Sequence, residues 1–130
     1  MKECHYQVGN YDAMVMEHFS RRLLTEAGVH GERFALDWAS AAQAPLYVEL
    51  ITRFTERIRE LGPLGASDGM PLEEIRVKLL AARSAASSVK IRTQFAKLTQ
   101  DMRREKDYSP QVLETRISKK LHEAILREME

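Results

Sequence analysis

The chain has 130 residues, 44% hydrophobic and 30% charged, with a formal net charge of +1; this suits one domain, or a small domain with an extension, and leaves two full domains cramped. The near-neutral balance removes any global field that would gather nucleic acid or an acidic substrate. The single cysteine excludes an internal disulfide, and no apolar run approaches the roughly 18 residues of a membrane span, so the expected compartment is the cytoplasm.

In chain order, the first element is a helix over "YDAMVMEHFSRRLLTEAG". Asn10 stands where an N-cap would accept a backbone N–H of the first turn. Val15, Met16, Phe19, Leu23, Leu24 and Ala27 recur at helical spacing, and Gly28 follows the last of them as a terminator. "HGER" is a connection. "RFALDW" alternates, with Phe34, Leu36 and Trp38 on one side, which predicts a short half-buried strand. Ser40 to Ala44 reads as a loop of mostly small residues, and Pro45 suits the first turn of a second helix. Leu46, Leu50, Ile51, Phe54, Ile58 and Leu61 form the apolar stripe of that helix, which Gly62-Pro63 ends.

"GPLGASDGMP" carries three glycines and two prolines in ten residues and reads as a linker. Beyond it the pattern is wholly helical. Pro71 opens a helix with Glu73 and Glu74 at the favourable end of the dipole, and Ile75, Leu79 and Leu80 line its apolar side. "SAASS" either breaks this helix or is an exposed stretch within it. A further helix carries Val89, Ile91, Phe95, Leu98 and Met102. Ser109 and Pro110 are the N-cap and N1 of the last helix, whose apolar side is Leu113, Ile117, Leu121 and Ile125. No internal repeat is visible.

The fold class this predicts is mainly α with one short strand. Residues 1–62 form a helix–strand–helix unit, 63–70 a linker and 71–130 a helical extension. One strand cannot form a sheet, so Phe34, Leu36 and Trp38 require strands that this sequence does not supply.

Candidate chemistry centres on Cys4. As a nucleophile, its thiol needs an imidazole within hydrogen-bond reach. His5 is adjacent and points away on an extended chain; His18, His30 or His122 would have to approach through the fold. A metal or iron–sulfur site usually takes four ligands, and the four histidines, at 5, 18, 30 and 122, show no ligand spacing. Gly9-Asn10 at a helix start offers backbone N–H groups to an anion, but serves equally as a turn and cap. The basic runs "SRR", "MRREK" and "ISKK" have no interleaved aromatic residues to stack bases, and fit solvated helix faces better than a nucleic-acid surface.

"ECHYQVGNYDA", "RRLLTEAGV", "ERFALDWASAA" and "FTERIRELGPLG", in this order and spacing, resemble the methyl-viologen-reducing hydrogenase delta-subunit family. The resemblance covers Glu3 to Pro63 and looks like the C-terminal half of that domain; the C-terminal helices look like an extension. It implies the C-terminal part of an α/β domain, a 2Fe–2S cluster bound by cysteines, and electron transfer. The implied partners are a hydrogenase or formate dehydrogenase and a heterodisulfide-reductase-like flavoprotein, in cytoplasmic complexes of anaerobes. The family pattern reads approximately Gly-Cys-His-x-x-Asp-Cys-His-Tyr-x-x-Gly-Asn, and Cys4, His5, Tyr6, Gly9 and Asn10 match its last part, with Glu3 in place of Asp. The implied cofactor-binding residues are Cys4, His5, Tyr6 and Asn10, with Cys4 alone as metal ligand; the other cysteines and the first strands of the family domain have no counterpart here. The alternative reading is a cofactor-free helical interaction module.

Overall fold

The structure is a computed structural model that describes residues 9–119 and 121–130. Helix α1 (Gly9–Glu26) includes the two residues before Tyr11, where the sequence predicts its first turn, so Asn10 lies in the helix rather than capping it. Val15, Phe19 and Leu23 are buried along one face, and Ala27 continues that line just beyond the helix. The helix stops at a paired turn: Gly28 donates to the Thr25 carbonyl and Val29 to the Leu24 carbonyl. Gly28 has φ +79°, which favours glycine by backbone conformation, and a Cβ there would also push the Met70 thioether aside.

Residues 34–38 are the main correction. The expected strand is absent, and the described residues form no sheet; the α/β expectation for this part of the chain is overturned by an all-helical architecture. Phe34 does hold extended dihedrals, φ −135° and ψ 128°. A strand, however, exists through hydrogen bonds to a neighbour, and among the described residues no second extended segment lies alongside. The stretch is therefore a loop between a 3₁₀ turn (Gly31–Arg33) and helix α2 (Ala44–Leu61).

Helix α2 carries Pro45 in its first turn and ends at Gly62, whose N–H donates to the Ile58 and Arg59 carbonyls. Its main neighbour is the 3₁₀ turn. Of the six stripe residues only Leu61 is buried.

Helix α3 (Leu72–Ser87) and helix α4 (Val89–Glu105) meet at Ser88, which resolves the "SAASS" stretch as a break. Ser88 closes α3 and its side chain accepts the Ile91 N–H to open α4, so one residue serves both ends. Ile75 is buried as expected, whereas Leu80 and Val89 face solvent.

The last helix expected from the sequence is three pieces: α5 (Pro110–Leu113), a π-helical stretch (Glu114–Lys119) and α6 (His122–Met129). Leu113, Ile117, Leu121 and Ile125 are all buried nonetheless. A strict four-residue spacing drifts by about 40° per step around an α-helix of 3.6 residues per turn. The wider π turn swings back, and the stripe stays on one face.

The core joins α1 to the C-terminal helices. Val15, Phe19, Leu23 and Ala27 pack with Ala82, Ile91, Leu98, Met102, Leu113, Ile117, Leu121 and Ile125, and the Phe19 and Phe95 rings sit 4.9 Å apart. Helix α2 contributes nothing to this cluster. No helix among the described residues is long and apolar enough to cross a membrane.

Candidate functional site

Three of the four residues singled out as binding groups, Cys4, His5 and Tyr6, lie outside the described residues. The fourth, Asn10, sits in the first turn of α1 and is engaged in an interaction there. The start of α1 is therefore the described edge of the candidate site.

That edge is clamped to the C-terminal half. The Tyr11 and Tyr108 rings stack with centroids 4.5 Å apart and an interplanar angle of 22°. Arg103 donates from Nε and Nη2 to the two Asp12 carboxylate oxygens, at 3.0 and 2.6 Å. This forked pairing fixes direction as well as distance, and it raises the Arg103 pKa above its ordinary value, first through the Asp12 hydrogen bond and then through its charge. Asp12 also lies in the first turn of α1, where negative charge complements the dipole. The Tyr108 hydroxyl is buried without a partner among the described residues; burial, then the Asp12 charge, pushes its pKa up. The spacing of 91 residues between Asp12 and Arg103 is why sequence reasoning missed this clamp.

The three described histidines do not converge. His18 Nδ1 lies 3.1 Å from the Met14 carbonyl and 2.9 Å from a Glu17 carboxylate oxygen. His30 accepts the Glu32 N–H at 3.3 Å. His122 accepts from Arg22 Nε at 3.2 Å, with Glu26 3.5 Å away. Each is tied to its own neighbourhood, and no described group of three or more His, Cys, Asp or Glu side chains is placed to hold a metal ion.

The second built feature is a buried ion pair at the far end of α1. Asp68 accepts from Arg33 Nε at 2.8 Å, from the His30 N–H at 2.7 Å and from the Gly65 N–H at 2.7 Å. Burial alone would raise its pKa; the Arg33 hydrogen bond, the two backbone N–H donors and the Arg33 charge outweigh that and bring it to about 2. Arg33 also donates to the carbonyls of Leu61, Gly62 and Pro63. One pair thus binds the 3₁₀ turn, the end of α2 and the 63–70 stretch. All groups find partners, the condition under which a buried pair is tolerated. It is a structural joint, not a reactive centre.

Between 35–39 and α2 runs a groove of about 440 Å³. Ala35, Asp37 and Ala39 form one wall; Tyr47, Leu50, Ile51 and Phe54 form the other. Tyr47 is 60% exposed and Ile51 48% exposed. Sequence reading found the α2 stripe but could not see that its cover within the described residues is partial: Leu46, Leu50, Phe54 and Ile58 are half-buried and Ile51 is exposed.

Residues 1–62 match the family model described as methyl-viologen-reducing hydrogenase, delta subunit. The chain is 41% identical over 61 residues to the iron-sulfur subunit of the F420-non-reducing hydrogenase of Archaeoglobus profundus, covering 47% of this chain and 44% of that protein. The vhu iron-sulfur subunit of the F420-non-reducing hydrogenase of Methanocaldococcus jannaschii is 38% identical over 61 residues, covering 47% of this chain and 46% of its own. A ferredoxin:CoB-CoM heterodisulfide reductase subunit of Methanosarcina mazei is 35% identical over 66 residues, 51% of this chain but 8% of that protein. The chain thus spans a little under half the length of these two hydrogenase relatives. No solved structure matches it. The family resemblance holds over residues 1–62, and the relatives that share this segment are components of hydrogenases and heterodisulfide reductases.

Proposed function

We propose that the chain is an electron-transfer subunit, or part of one, that relays electrons between a hydrogenase or formate dehydrogenase and a heterodisulfide-reductase-like flavoprotein in a cytoplasmic complex. The observation that carries this reading is the match of residues 1–62 to the hydrogenase delta-subunit family, with 41% identity to a hydrogenase iron-sulfur subunit. In this reading 1–62 corresponds to the C-terminal half of the family domain and 71–130 is a helical extension.

The cofactor of the full-length family would be a 2Fe–2S cluster. The residues present here do not make up its site: Cys4 is the only cysteine of the chain, and the described residues hold no three-ligand group. Cluster ligands beyond Cys4 would have to come from another polypeptide or another part of the subunit. Cys4 is then one ligand at most, and His5, Tyr6 and Asn10, close to it in sequence, would shape its surroundings.

The test joins the complete 130-residue chain to the portion of the Archaeoglobus profundus protein outside the match, in the order that relative has it. After anaerobic reconstitution with iron and sulfide, the joined protein should absorb in the visible range, and Cys4→Ala should remove at least about half of that absorption. The chain alone should stay colourless, as one thiolate falls short of the usual four. A colourless joined protein, or absorption indifferent to Cys4→Ala, overturns the assignment of Cys4 to the cluster.

A second reading, a cofactor-free helical interaction module, is favoured by the uncovered face of α2 and the lone thiol. A colourless joined protein that still binds the hydrogenase would select it.

A further inference from the structure

Every residue lining the groove between 35–39 and α2 lies within the matched segment 1–62. The C-terminal helices are committed elsewhere: they cover α1, and α2 is absent from the shared core. Helix α2 is fastened chiefly at its C-terminal end, through Arg33 and Asp68. Its outer turns present Tyr47, Val48 and Ile51 to solvent, and Tyr47 and Ile51 line the groove together with Leu50 and Phe54. Single exposed apolar residues are ordinary, but a contiguous patch on one face marks an interaction site.

The backbone points to the same surface. Residues 35–39 make no backbone hydrogen bond among the described residues, whereas the flanking Phe34 carbonyl accepts from Arg21 and the Ser40 N–H donates to Gln43. A run of open backbone donors and acceptors beside an apolar groove leaves room for a polypeptide segment whose apolar side chains fill the groove. The hydrogenase iron-sulfur relatives have more than half of their length outside the match, so the family holds a polypeptide of the required kind that this segment does not itself provide.

We propose that the groove between 35–39 and α2 is the docking surface for the portion of the family protein that this chain does not cover, seated as an apolar polypeptide segment against Tyr47, Leu50, Ile51 and Phe54. This rests on the reading of residues 1–62 as part of that family protein, and not on electron transfer.

The experiment compares one substitution in two settings, the 130-residue chain alone and the joined protein described above. Ile51→Asp should shift the melting temperature of the chain alone by less than about 2 °C and lower that of the joined protein by more than about 6 °C. Val89→Asp, on the outer face of α4 with Val89 81% exposed, should leave both unchanged. Equal shifts in the two settings, or none in either, overturn the proposal, as does a joined protein that fails to fold. A chain that sediments as a dimer split by Ile51→Asp assigns the groove to a second copy and overturns it too. Visible absorption of the joined protein reports separately on the cluster, so docking without absorption leaves this surface standing while the relay reading falls.

Discussion

Helices α1 and α2 are both 18 residues long, both lie in the matched segment, and both carry apolar residues at helical spacing. One is built into the core and the other stays outside it, with Ile51 of its apolar side open to solvent. A stripe states which face wants cover; it does not state that the chain supplies it. The cover for α1 comes from α3 to α6, so the first helix of the matched segment is packed by helices outside it.

The sharpest way to break this comparison is to cut equivalent side chains. Phe19→Ala removes a ring packed on Phe95 inside the core and should cost about 3–5 kcal/mol, read as a lower urea midpoint with unchanged slope. Asp68→Asn leaves Arg33, 9% exposed, without its countercharge, and should cost about 2–4 kcal/mol. That substitution frees the joint beneath α2, so amide exchange should accelerate along 44–61 more than along 9–26.

The same carboxylate gives a pH test of the joint. Its folded pKa, about 2, lies below the ordinary 3.8. A depressed carboxyl stabilises fully above the unfolded value and loses that contribution as pH falls through the folded one. Stability attributable to Asp68 should therefore be constant above about pH 4 and vanish by about pH 2, with roughly 1–2 kcal/mol at stake after discounting for nearby solvent. The gap between wild type and Asp68→Asn should narrow over that window. A gap unchanged between about pH 5 and about pH 2 would show that the joint acts by shape and not by charge.

Smaller effects complete the series. Ser88→Ala removes the cap of α4 and should cost about 1 kcal/mol. Ile51→Ala, on the open side of α2, should fall within about 0.5 kcal/mol in the chain alone. A larger loss there would mean that α2 is covered after all, and the contrast with α1 would collapse.

The parts legible in the sequence are those fixed by local rules. The α1 stripe apart from Met16, which is exposed, Gly28 as terminator, Pro45 near a helix start and the Leu113–Ile125 spacing follow from periodicity and caps, and the structure has them. "RFALDW" misled because alternation records a preference for pairing, while a strand needs a neighbour that pattern cannot supply. The Arg33–Asp68 joint and the Asp12–Arg103 clamp join residues 35 and 91 positions apart, where no spacing rule reaches. Of the candidate site, the residues at 4–6 came from family resemblance, and the structure describes only their neighbour Asn10 and the clamp that holds its helix.

The π-helical stretch at Glu114–Lys119 also sets how this region tolerates insertions and deletions. Its longer turns absorb residues that a uniform α-helix would carry forward into α6. Removing a single residue from it lets the stretch close into an α-helix: Leu113 to Leu121 then spans seven residues, about 700° and so about 20° short of two full turns, and Leu121 and Ile125 keep facing the core. A point substitution at an exposed position in the stretch leaves this phase intact. Identity counts at Ile117, a member of the stretch that is fully buried in the core.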